Sequence, residues 1–390
     1  MMLVDDLPTP CLLVERSRLR ANLQRMQKKA DTNETMLRPH VKTHKSVALA
    51  RMQIDGGACG ITVAKVGEAE TFVEAGIDDV RLAYTVVGDD KYQRLLDLMD
   101  RARISFCVET IEGALQASAF FESKGRVADV LLEVNSGLNR CGVDPTDSRS
   151  IDIAREVESL PGLRLIGILT HAGQAYNGPH DGETQQEALI RVSNHERNVM
   201  LAFAVRLREE RISTVEPGRF EISVGSTPTM RYFENRELDG FMITEIRPGN
   251  YIFNDAMQVG LEVADLNECA LTVLTTVISR HRDRNGHERL FVDAGKKVMT
   301  SDVGYRTDGF GTLLYNARVM ERLPHAHVTG LSEEHGWIEV SGGSTFGVGD
   351  RIRLVPNHAC TAVNTQDRFH LVDGEDVVDT LLVDARGRVI

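Results

Sequence analysis

Between residues 37 and 253 the chain alternates short apolar segments with longer stretches of helical periodicity. The apolar segments are rich in Val, Ile, Leu or aromatic residues and are short enough to be buried strands rather than helices. They are Leu37–Lys42, Cys59–Val63, Val80–Tyr84, Ile104–Val108, Val127–Val134, Leu163–Thr170, Phe220–Val224 and Ile243–Phe253. The intervening stretch Val66–Gly76 has helical spacing and closes on a glycine suited to a helix C-cap. Strand and helix therefore alternate.

Eight strand–helix alternations over roughly 250 residues predict a (β/α)8 barrel, with parallel strands inside a ring of helices. A doubly wound open sheet is the main alternative. No Gly-x-Gly-x-x-Gly sequence follows the first segment, as it does in dinucleotide-binding sheets, so the barrel is favoured.

After about residue 260 the pattern changes to short alternating segments separated by Gly, Asp and Asn, which predicts a second, mainly antiparallel β domain. Its predicted strands are Leu271–Ser279, Leu290–Asp293, His327–Gly330, Arg351–Val355, Arg368–Val372 and Thr380–Asp384. We therefore predict a barrel over residues 1–258 and a β domain over residues 259–390. The extreme N-terminus is a candidate to join the β domain.

Composition and charge narrow the function classes. A chain of 390 residues with 42% hydrophobic residues can bury a large core, and no low-complexity tract or repeat indicates a scaffold. A formal net charge of −12 argues against nucleic acid as the main partner. No apolar run approaches the roughly 20 residues that cross a bilayer, so we expect a cytoplasmic protein without a membrane partner. The scattered cysteines predict reduced, mostly structural thiols; they are Cys11, Cys59, Cys107, Cys141, Cys269 and Cys360. An enzyme is the leading class.

Polar residues follow or end several of the predicted barrel strands. Lys42 ends the first, Asn139-Arg140 lies beyond the fifth, and His171 ends the sixth. Gly225-Ser226-Thr227 follows the seventh strand, and Arg247-Pro248-Gly249-Asn250 falls in the eighth. The carboxyl ends of barrel strands meet at one rim, and the loops after the last two strands often bind phosphate. A ligand that bears a phosphate group is predicted there.

A phosphate cradle opposite a lysine suggests pyridoxal 5′-phosphate, whose aldehyde forms a Schiff base with an amine and whose ring accepts electrons. Short Gly/Ser/Thr clusters are most often ordinary turns. The barrel context is therefore what favours a cofactor site.

Several motifs together resemble the family of D-serine dehydratases and D-threonine aldolases. They are Arg38-Pro39-His40-Val41-Lys42-Thr43-His44-Lys45, Leu138-Asn139-Arg140-Cys141-Gly142, Thr170-His171-Ala172-Gly173, Val224-Gly225-Ser226-Thr227-Pro228-Thr229 and Pro356-Asn357-His358-Ala359-Cys360. The resemblance covers nearly the whole chain. It implies a fold-type III pyridoxal-phosphate enzyme with an alanine-racemase-like barrel and a β domain. It also implies a homodimer in which the β domain of one subunit lies near the barrel mouth of the other.

The resemblance implies roles for individual residues. Lys42 would carry the cofactor, and Lys45 is the rival, with a solvated lysine at a helix start as its ordinary interpretation. His171 would lie beside the cofactor ring, and Tyr176 resembles the family's active-site tyrosine. The phosphate would be surrounded by Gly225, Ser226, Thr227, Gly249 and Asn250.

The resemblance places two arginines in the same site. Arg247 would face the pyridine nitrogen, where its permanent charge would disfavour protonation of that nitrogen and moderate the electron sink. Arg140 would lie near the cofactor's phenolic oxygen or the substrate carboxylate. The alternative for both is a structural salt bridge at a strand end.

His358-Ala359-Cys360 raises the question of a metal. Residues two apart on a strand project to the same face, so both side chains could reach one ion. On spacing alone a packed histidine beside a buried cysteine is the commoner arrangement, and it is the family resemblance that implies a metal site. Imidazole plus thiolate favours zinc over manganese or magnesium, and two protein ligands leave coordination positions open for substrate.

The motif variants resemble the dehydratase branch of the family. Aldolases carry His-x-Asp and a Gly-Gly-Gly-Thr-Gly segment, whereas this chain has His358-Ala359-Cys360 and Val224-Gly225-Ser226-Thr227. The leading hypothesis is a metal-dependent lyase that converts a β-hydroxy-D-amino acid, of the D-serine or D-3-hydroxyaspartate type, to a 2-oxo acid and ammonia. The alternatives are retro-aldol cleavage to glycine and an aldehyde, an amino-acid racemase, and a non-catalytic carrier of pyridoxal phosphate.

Overall fold

The barrel is closed and its strands are parallel. The computed structural model describes residues 2–284 and 287–390. The barrel strands are β1 (Met36–Leu37), β2 (Ile61–Val63), β3 (Asp79–Thr85), β4 (Arg103–Val108), β5 (Ala128–Val134), β6 (Leu163–Thr170), β7 (Glu221–Val224) and β8 (Glu245–Ile246). Each strand from β2 to β8 pairs in parallel with the next, and β8 pairs with β1. A parallel bridge between His40 and Thr62 joins β1 to β2. The predicted (β/α)8 barrel is confirmed.

Helices alternate with the barrel strands as the sequence predicts. The longer ones are Arg16–Thr32, Val47–Asp55, Val66–Glu74, Asp89–Leu98, Ile111–Ser123, Arg149–Ser159 and Gln185–Glu209. Shorter helices span Thr227–Met230, Ala256–Gly260, Lys296–Met299 and Ala359–Asn364, and single 3-10 turns span Val4–Asp6, Val41–Thr43, Gly173–Tyr176, Asn250–Ile252 and Leu266–Glu268. Val66–Glu74 ends where predicted, because Gly76 adopts a φ of 89° just beyond it. None of the described helices has the length and apolar character needed to cross a membrane.

The first and last barrel strands are shorter than predicted. β1 ends at Leu37, and Lys42 lies in the 3-10 turn Val41–Thr43 instead of ending the strand. β8 covers only two residues of the predicted Ile243–Phe253. In both cases a proline follows within two residues, Pro39 or Pro248, and a proline has no N–H to continue the ladder. Both segments therefore leave the sheet early and turn toward the rim of the barrel.

In the described part of the chain, the residues after 270 and two N-terminal segments form an eleven-stranded, mainly antiparallel sheet. Its strands are Met2–Leu3, Cys11–Glu15, Leu271–Arg282, Glu288–Val292, Thr312–Asn316, Glu321–Arg322, Ala326–Leu331, Gly336–Val340, Arg351–Val355, Arg368–Asp373 and Asp376–Leu382. All six β-domain strands predicted from the sequence overlap strands in this sheet. The predicted β domain is confirmed, and its boundary at residues 258/259 stays a prediction.

The strand Cys11–Glu15 lies in the middle of this sheet. It pairs antiparallel with Leu271–Arg282 and parallel with Arg368–Asp373. At the other end of the chain, the Ala385 N–H donates to the Lys45 carbonyl at 2.9 Å, so residues after the last strand return to the barrel. These contacts fix the β-domain sheet against the barrel rim.

A buried ion network crosses the barrel interior. Glu245 is fully buried and accepts hydrogen bonds from Arg38 Nε at 2.5 Å and from Arg81 Nη1 at 2.6 Å. Burial alone would raise the pKa of Glu245, but Arg81 and Arg38 outweigh burial and lower it to about 2. Glu245 thereby connects β8 to Arg81 on β3 and to Arg38, the residue after β1. Glu245 lies two residues before Arg247 in the sequence.

Candidate active site

A cavity of about 470 Å³ lies at the carboxyl ends of the barrel strands, where the β domain meets the rim. It is lined by every site residue predicted from the sequence. These are Lys42, Arg140, His171, Tyr176, Gly225, Ser226, Thr227, Arg247, Gly249, Asn250, His358 and Cys360. The structure therefore brings the predicted residues into one space, and their chemical roles stay predictions.

Lys42 supplies the lysine amine of the cavity. It is carried by the 3-10 turn Val41–Thr43, and burial is the largest cause that lowers its pKa. The Cys360 thiolate opposes this shift, and the positive charge of Arg140 adds to it. A lowered pKa increases the fraction of neutral, nucleophilic amine. Lys45, the rival, does not line the cavity, because its Nζ lies 3.0 Å from Glu68 Oε1.

His171 presents a neutral imidazole to the cavity. Burial first, and then the charge of Lys42, lower its pKa to about 3. Its Nδ1 lies 3.3 Å from the Gly225 carbonyl oxygen, which can only accept, so Nδ1 carries the proton and Nε2 is left as an acceptor. Tyr176 ends the turn Gly173–Tyr176, and its hydroxyl accepts a bond from Gln258 at 3.5 Å. Burial raises the pKa of Tyr176, so the phenol keeps its proton.

The loops after β7 and β8 lie close together because both contain glycines, which have no side chain to keep the backbones apart. Gly225 has a φ of 128°, and a Cβ on it would lie 2.8 Å from the backbone nitrogen of Arg247. A Cβ on Gly249 would lie 2.9 Å from the His40 carbonyl oxygen. Ser226 then precedes the short helix that begins at Thr227. Glycines that leave backbone open, with hydroxyls beside them, fit a phosphate group.

The two arginines differ in how they are held. Arg247 is 4% exposed and donates to the Ser223 hydroxyl and to the Thr170 carbonyl. Burial lowers the pKa of Arg247 to about 10, which leaves it charged at neutral pH. Arg140 lies in the exposed loop after β5. Within the described part of the chain neither arginine forms an ion pair, so the salt-bridge alternative has no carboxylate partner there.

His358 and Cys360 line the cavity, but they do not lie on a strand. His358 occupies the position just before the helix Ala359–Asn364, and Cys360 lies in the first turn of that helix. The strand argument from their spacing was therefore wrong, since Pro356 ends the preceding strand Arg351–Val355. Cys360 Sγ lies 3.2 Å from the hydroxyl of Thr43 on the barrel side. The turn that carries Lys42 and the β domain thus meet at the thiol.

The histidine and the thiol form an ionised pair. Burial is the largest influence and favours the neutral thiol, but the charge and hydrogen bond of His358, the hydrogen bond of Thr43 and the charge of Lys42 together lower the pKa of Cys360. Burial likewise opposes the charge of His358, but the Cys360 thiolate raises the pKa of the imidazole to about 10. An imidazole beside a thiolate fits a soft divalent metal. Among residues 2–284 and 287–390 no set of three or more His, Cys, Asp or Glu side chains is placed to hold a metal ion.

The cavity also contains residues that the sequence analysis did not single out as site residues. They are His40, Thr43, Ala83, Glu133, Leu169, Met257, Asp302 and Val303. His40 and Thr43 belong to the motif around Lys42 and could have been found from it. Glu133 lies on β5, where strand alternation points it inward. Asp302 and Met257 lie outside the motifs quoted from the sequence, so no local signal marked them.

The closed barrel, the cavity lysine and the glycine cradle define the alanine-racemase-like class of pyridoxal-phosphate enzymes. Residues 14–256 match the family model "Alanine racemase, N-terminal domain", and residues 270–372 match "Putative serine dehydratase domain". Alanine racemase from Clostridium difficile, with a TM-score of 0.64 at 13% identity, shares the fold.

More similar relatives lie within one branch of this class. D-threo-3-hydroxyaspartate dehydratase from Delftia sp. (strain HT23) is 33% identical over 366 residues, 91% of each chain, and its structure has a TM-score of 0.87 over 98% of this chain and 99% of that one. D-threonine aldolase from Arthrobacter sp. is 32% identical over 97% of this chain and 93% of its own length. D-serine dehydratase from Dictyostelium discoideum is 25% identical over 96% of both. The chain belongs to the D-serine dehydratase and D-threonine aldolase family of fold-type III pyridoxal-phosphate enzymes.

Proposed function

We propose that the protein is a pyridoxal-phosphate- and metal-dependent lyase that dehydrates a β-hydroxy-D-amino acid, of the D-serine or D-3-hydroxyaspartate type, to a 2-oxo acid and ammonia. The observation that carries the proposal is one cavity that holds Lys42, a glycine cradle for phosphate, and the pair His358 and Cys360. The relatives named as dehydratases and aldolases of such substrates support it.

The cavity fits the cofactor at both of its ends. Lys42 would hold the aldehyde, and the loops at Gly225 and Gly249 leave backbone open where a side chain would otherwise stand. When bound, pyridoxal phosphate stabilises negative charge at the substrate's α carbon. Arg247 would face the pyridine nitrogen and, because it stays charged, keep that nitrogen unprotonated. His171 and Tyr176 would contact the cofactor ring.

Proton transfer at the α carbon is the task of Lys42. Its pKa is lowered by burial, so it loses its proton more readily than an exposed lysine does, as a base that accepts the α proton requires. Arg140, in the exposed loop at the cavity, would bind the substrate carboxylate. The carboxylate would then fix the orientation of the α proton relative to the amine.

His358 and Cys360 would hold the metal. Imidazole and thiolate together favour zinc over manganese or magnesium, which prefer oxygen ligands. A bound divalent ion would act as a Lewis acid toward the β-hydroxyl group and favour its departure. His-x-Cys in place of His-x-Asp is the feature that favours dehydration over aldol cleavage.

The second candidate is retro-aldol cleavage to glycine and an aldehyde, which the similarity to the Arthrobacter D-threonine aldolase supports. A racemase or a non-catalytic carrier would have no use for a histidine–thiol pair in the cofactor cavity. We also propose a cytoplasmic homodimer, which light scattering and cell fractionation test.

The test supplies purified protein with cofactor and zinc and offers D-serine, D-threonine, D-3-hydroxyaspartate and their L enantiomers. We expect 2-oxo acid and ammonia from a D substrate only. Glycine and aldehyde would establish the aldolase, and no turnover despite bound cofactor would establish a carrier. Borohydride reduction followed by peptide mapping should label Lys42; a label on Lys45, or none, would contradict the assignment.

A further inference from the structure

Asp302 is a carboxylate at the cavity that no motif marks. It lies between the helix Lys296–Met299 and the strand Thr312–Asn316. Its Oδ2 lies 2.6 Å from Nδ1 of His358, and the hydroxyl of Thr361 donates to the same oxygen at 3.2 Å. The carboxylate therefore contacts Nδ1, the imidazole nitrogen nearer to the backbone of His358.

The backbone around Asp302 is held in place from several sides. Asn357 donates its amide to the Asp302 carbonyl at 2.9 Å, and the Asp302 N–H donates to the Thr300 hydroxyl at 3.3 Å. Thr300 has a φ of 68°, an unfavourable conformation for a β-branched residue, and its hydroxyl oxygen lies 2.9 Å from that of Thr361. Such a conformation persists only where the surroundings enforce it. The position of the carboxylate is thus imposed by the fold.

A carboxylate at Nδ1 decides which imidazole nitrogen can bind a metal. A carboxylate can only accept, so Nδ1 carries a proton and donates it. The second nitrogen, Nε2, is then the one that can exchange its proton for an ion shared with Cys360, and the bond to Asp302 opposes rotation of the ring. We propose that Asp302 is the positioning residue that orients His358 toward the metal. This inference rests on the proposed metal-dependent function and adds to it a residue outside the two donors.

The chain offers a matched control for this contact. Asp308 Oδ2 lies 2.6 Å from Nδ1 of His327, the same pairing at the same distance within the same connecting segment. Neither Asp308 nor His327 lines the cavity. Removing Asp308 tests the loss of a histidine–aspartate contact without touching the metal pair.

The experiment measures metal binding instead of turnover. We would titrate cofactor-loaded, metal-stripped protein with zinc against a chromogenic chelator and with cobalt, whose thiolate charge-transfer band reports the bond to sulfur. We expect Asp302→Ala to weaken zinc binding about 10–100-fold and to alter the cobalt spectrum. Asp302→Asn keeps an acceptor and should weaken binding less, and Asp308→Ala should match the wild type.

The outcomes separate this inference from the proposed function. Wild-type protein that binds neither ion would refute the metal part of the proposed function, and the role of Asp302 with it. Wild-type protein that binds cobalt through sulfur, with Asp302→Ala and Asp302→Asn both within twofold of Asp308→Ala, would refute the role of Asp302 alone. An unchanged cofactor absorption band in each variant shows that the cavity is intact.

Discussion

Gly225→Ala tests the close approach of the two loops that we propose as the phosphate cradle. Gly225 has a φ of 128°, and an added Cβ would lie 2.8 Å from the backbone nitrogen of Arg247. Its N–H also donates to Glu196 Oε1 at 2.9 Å, and its carbonyl oxygen lies 3.3 Å from Nδ1 of His171. A shift of this one residue would therefore move a loop at the cavity, the buried carboxylate of Glu196 and the imidazole ring of His171.

The magnitude has two parts. Forcing alanine into this backbone conformation costs about 1–3 kcal/mol. Overlap with the backbone of Arg247, which cannot rotate out of the way as a flexible side chain could, adds about 1–3 kcal/mol. We expect an apparent free energy of unfolding lower by roughly 2–6 kcal/mol in all. Each 1.4 kcal/mol that falls on the cradle weakens cofactor binding about tenfold.

Gly182→Ala separates the two parts. Gly182 also has a positive φ, 80°, but a Cβ there would meet no atom within 4 Å. Gly182→Ala therefore has the free-energy cost of an alanine at positive φ, but its added Cβ does not overlap with a neighbouring atom. Urea unfolding of the cofactor-free proteins gives the stability difference, and absorbance titration with pyridoxal phosphate gives the affinity of each variant.

The two variants should differ in both measurements. Gly225→Ala should be less stable than Gly182→Ala by about 1–3 kcal/mol, and only Gly225→Ala should lose cofactor affinity. Equal destabilisation would show that the β7 and β8 loops do not meet as described. Full cofactor affinity in Gly225→Ala would remove this loop from the phosphate site.

Two further variants test the barrel interior and the cavity imidazole. Glu245→Gln should lower the free energy of unfolding by about 1–3 kcal/mol, because Arg38 and Arg81 lose the charge of the carboxylate that they share. Each arginine keeps one other carboxylate, Asp79 for Arg38 and Glu221 for Arg81. An unfolding midpoint equal to that of the wild type would contradict the role of the network. The pKa of His171 is about 3 in the folded protein and 6.5 for the free side chain. Between these two pH values the unfolded chain binds a proton at His171 that the folded protein does not bind. The free energy of unfolding therefore falls as the pH drops through this range. From pH 7 to pH 4.5 the cofactor-free wild type should lose about 2–3 kcal/mol more than His171→Asn, as urea midpoints would show, and equal losses would mean that the ring is not buried neutral.

The barrel and most of its rim were predictable because barrel chemistry is local in sequence. Each strand end is followed at once by the residues it delivers, so Lys42, His171 and Gly225 could be found beside apolar segments. The same local reasoning failed where a proline intervened. Pro39 and Pro248 end their ladders early, and Lys42 reaches the cavity from a 3-10 turn.

The remaining site residues depend on contacts between distant parts of the chain. Asp302 is brought to His358 by a connection between a short helix and a strand, and nothing in its own neighbourhood indicates that contact. Met257 enters the cavity because its N–H bonds to the Asn357 carbonyl at 3.2 Å. The position of the strand Cys11–Glu15 in the sheet cannot be predicted until its two partner strands are known. Such pairings are tertiary facts that periodicity does not encode.

The central place of Cys11–Glu15 in its sheet has a consequence for synthesis on the ribosome. Its antiparallel neighbour, Leu271–Arg282, is translated more than 250 residues later, roughly 10–50 s at usual elongation rates. Throughout that interval the apolar segment Cys11–Glu15 has no partner strand while the nascent barrel assembles beside it. This early peptide is therefore where we expect chaperones to engage the growing polypeptide, and where aggregation during expression would begin.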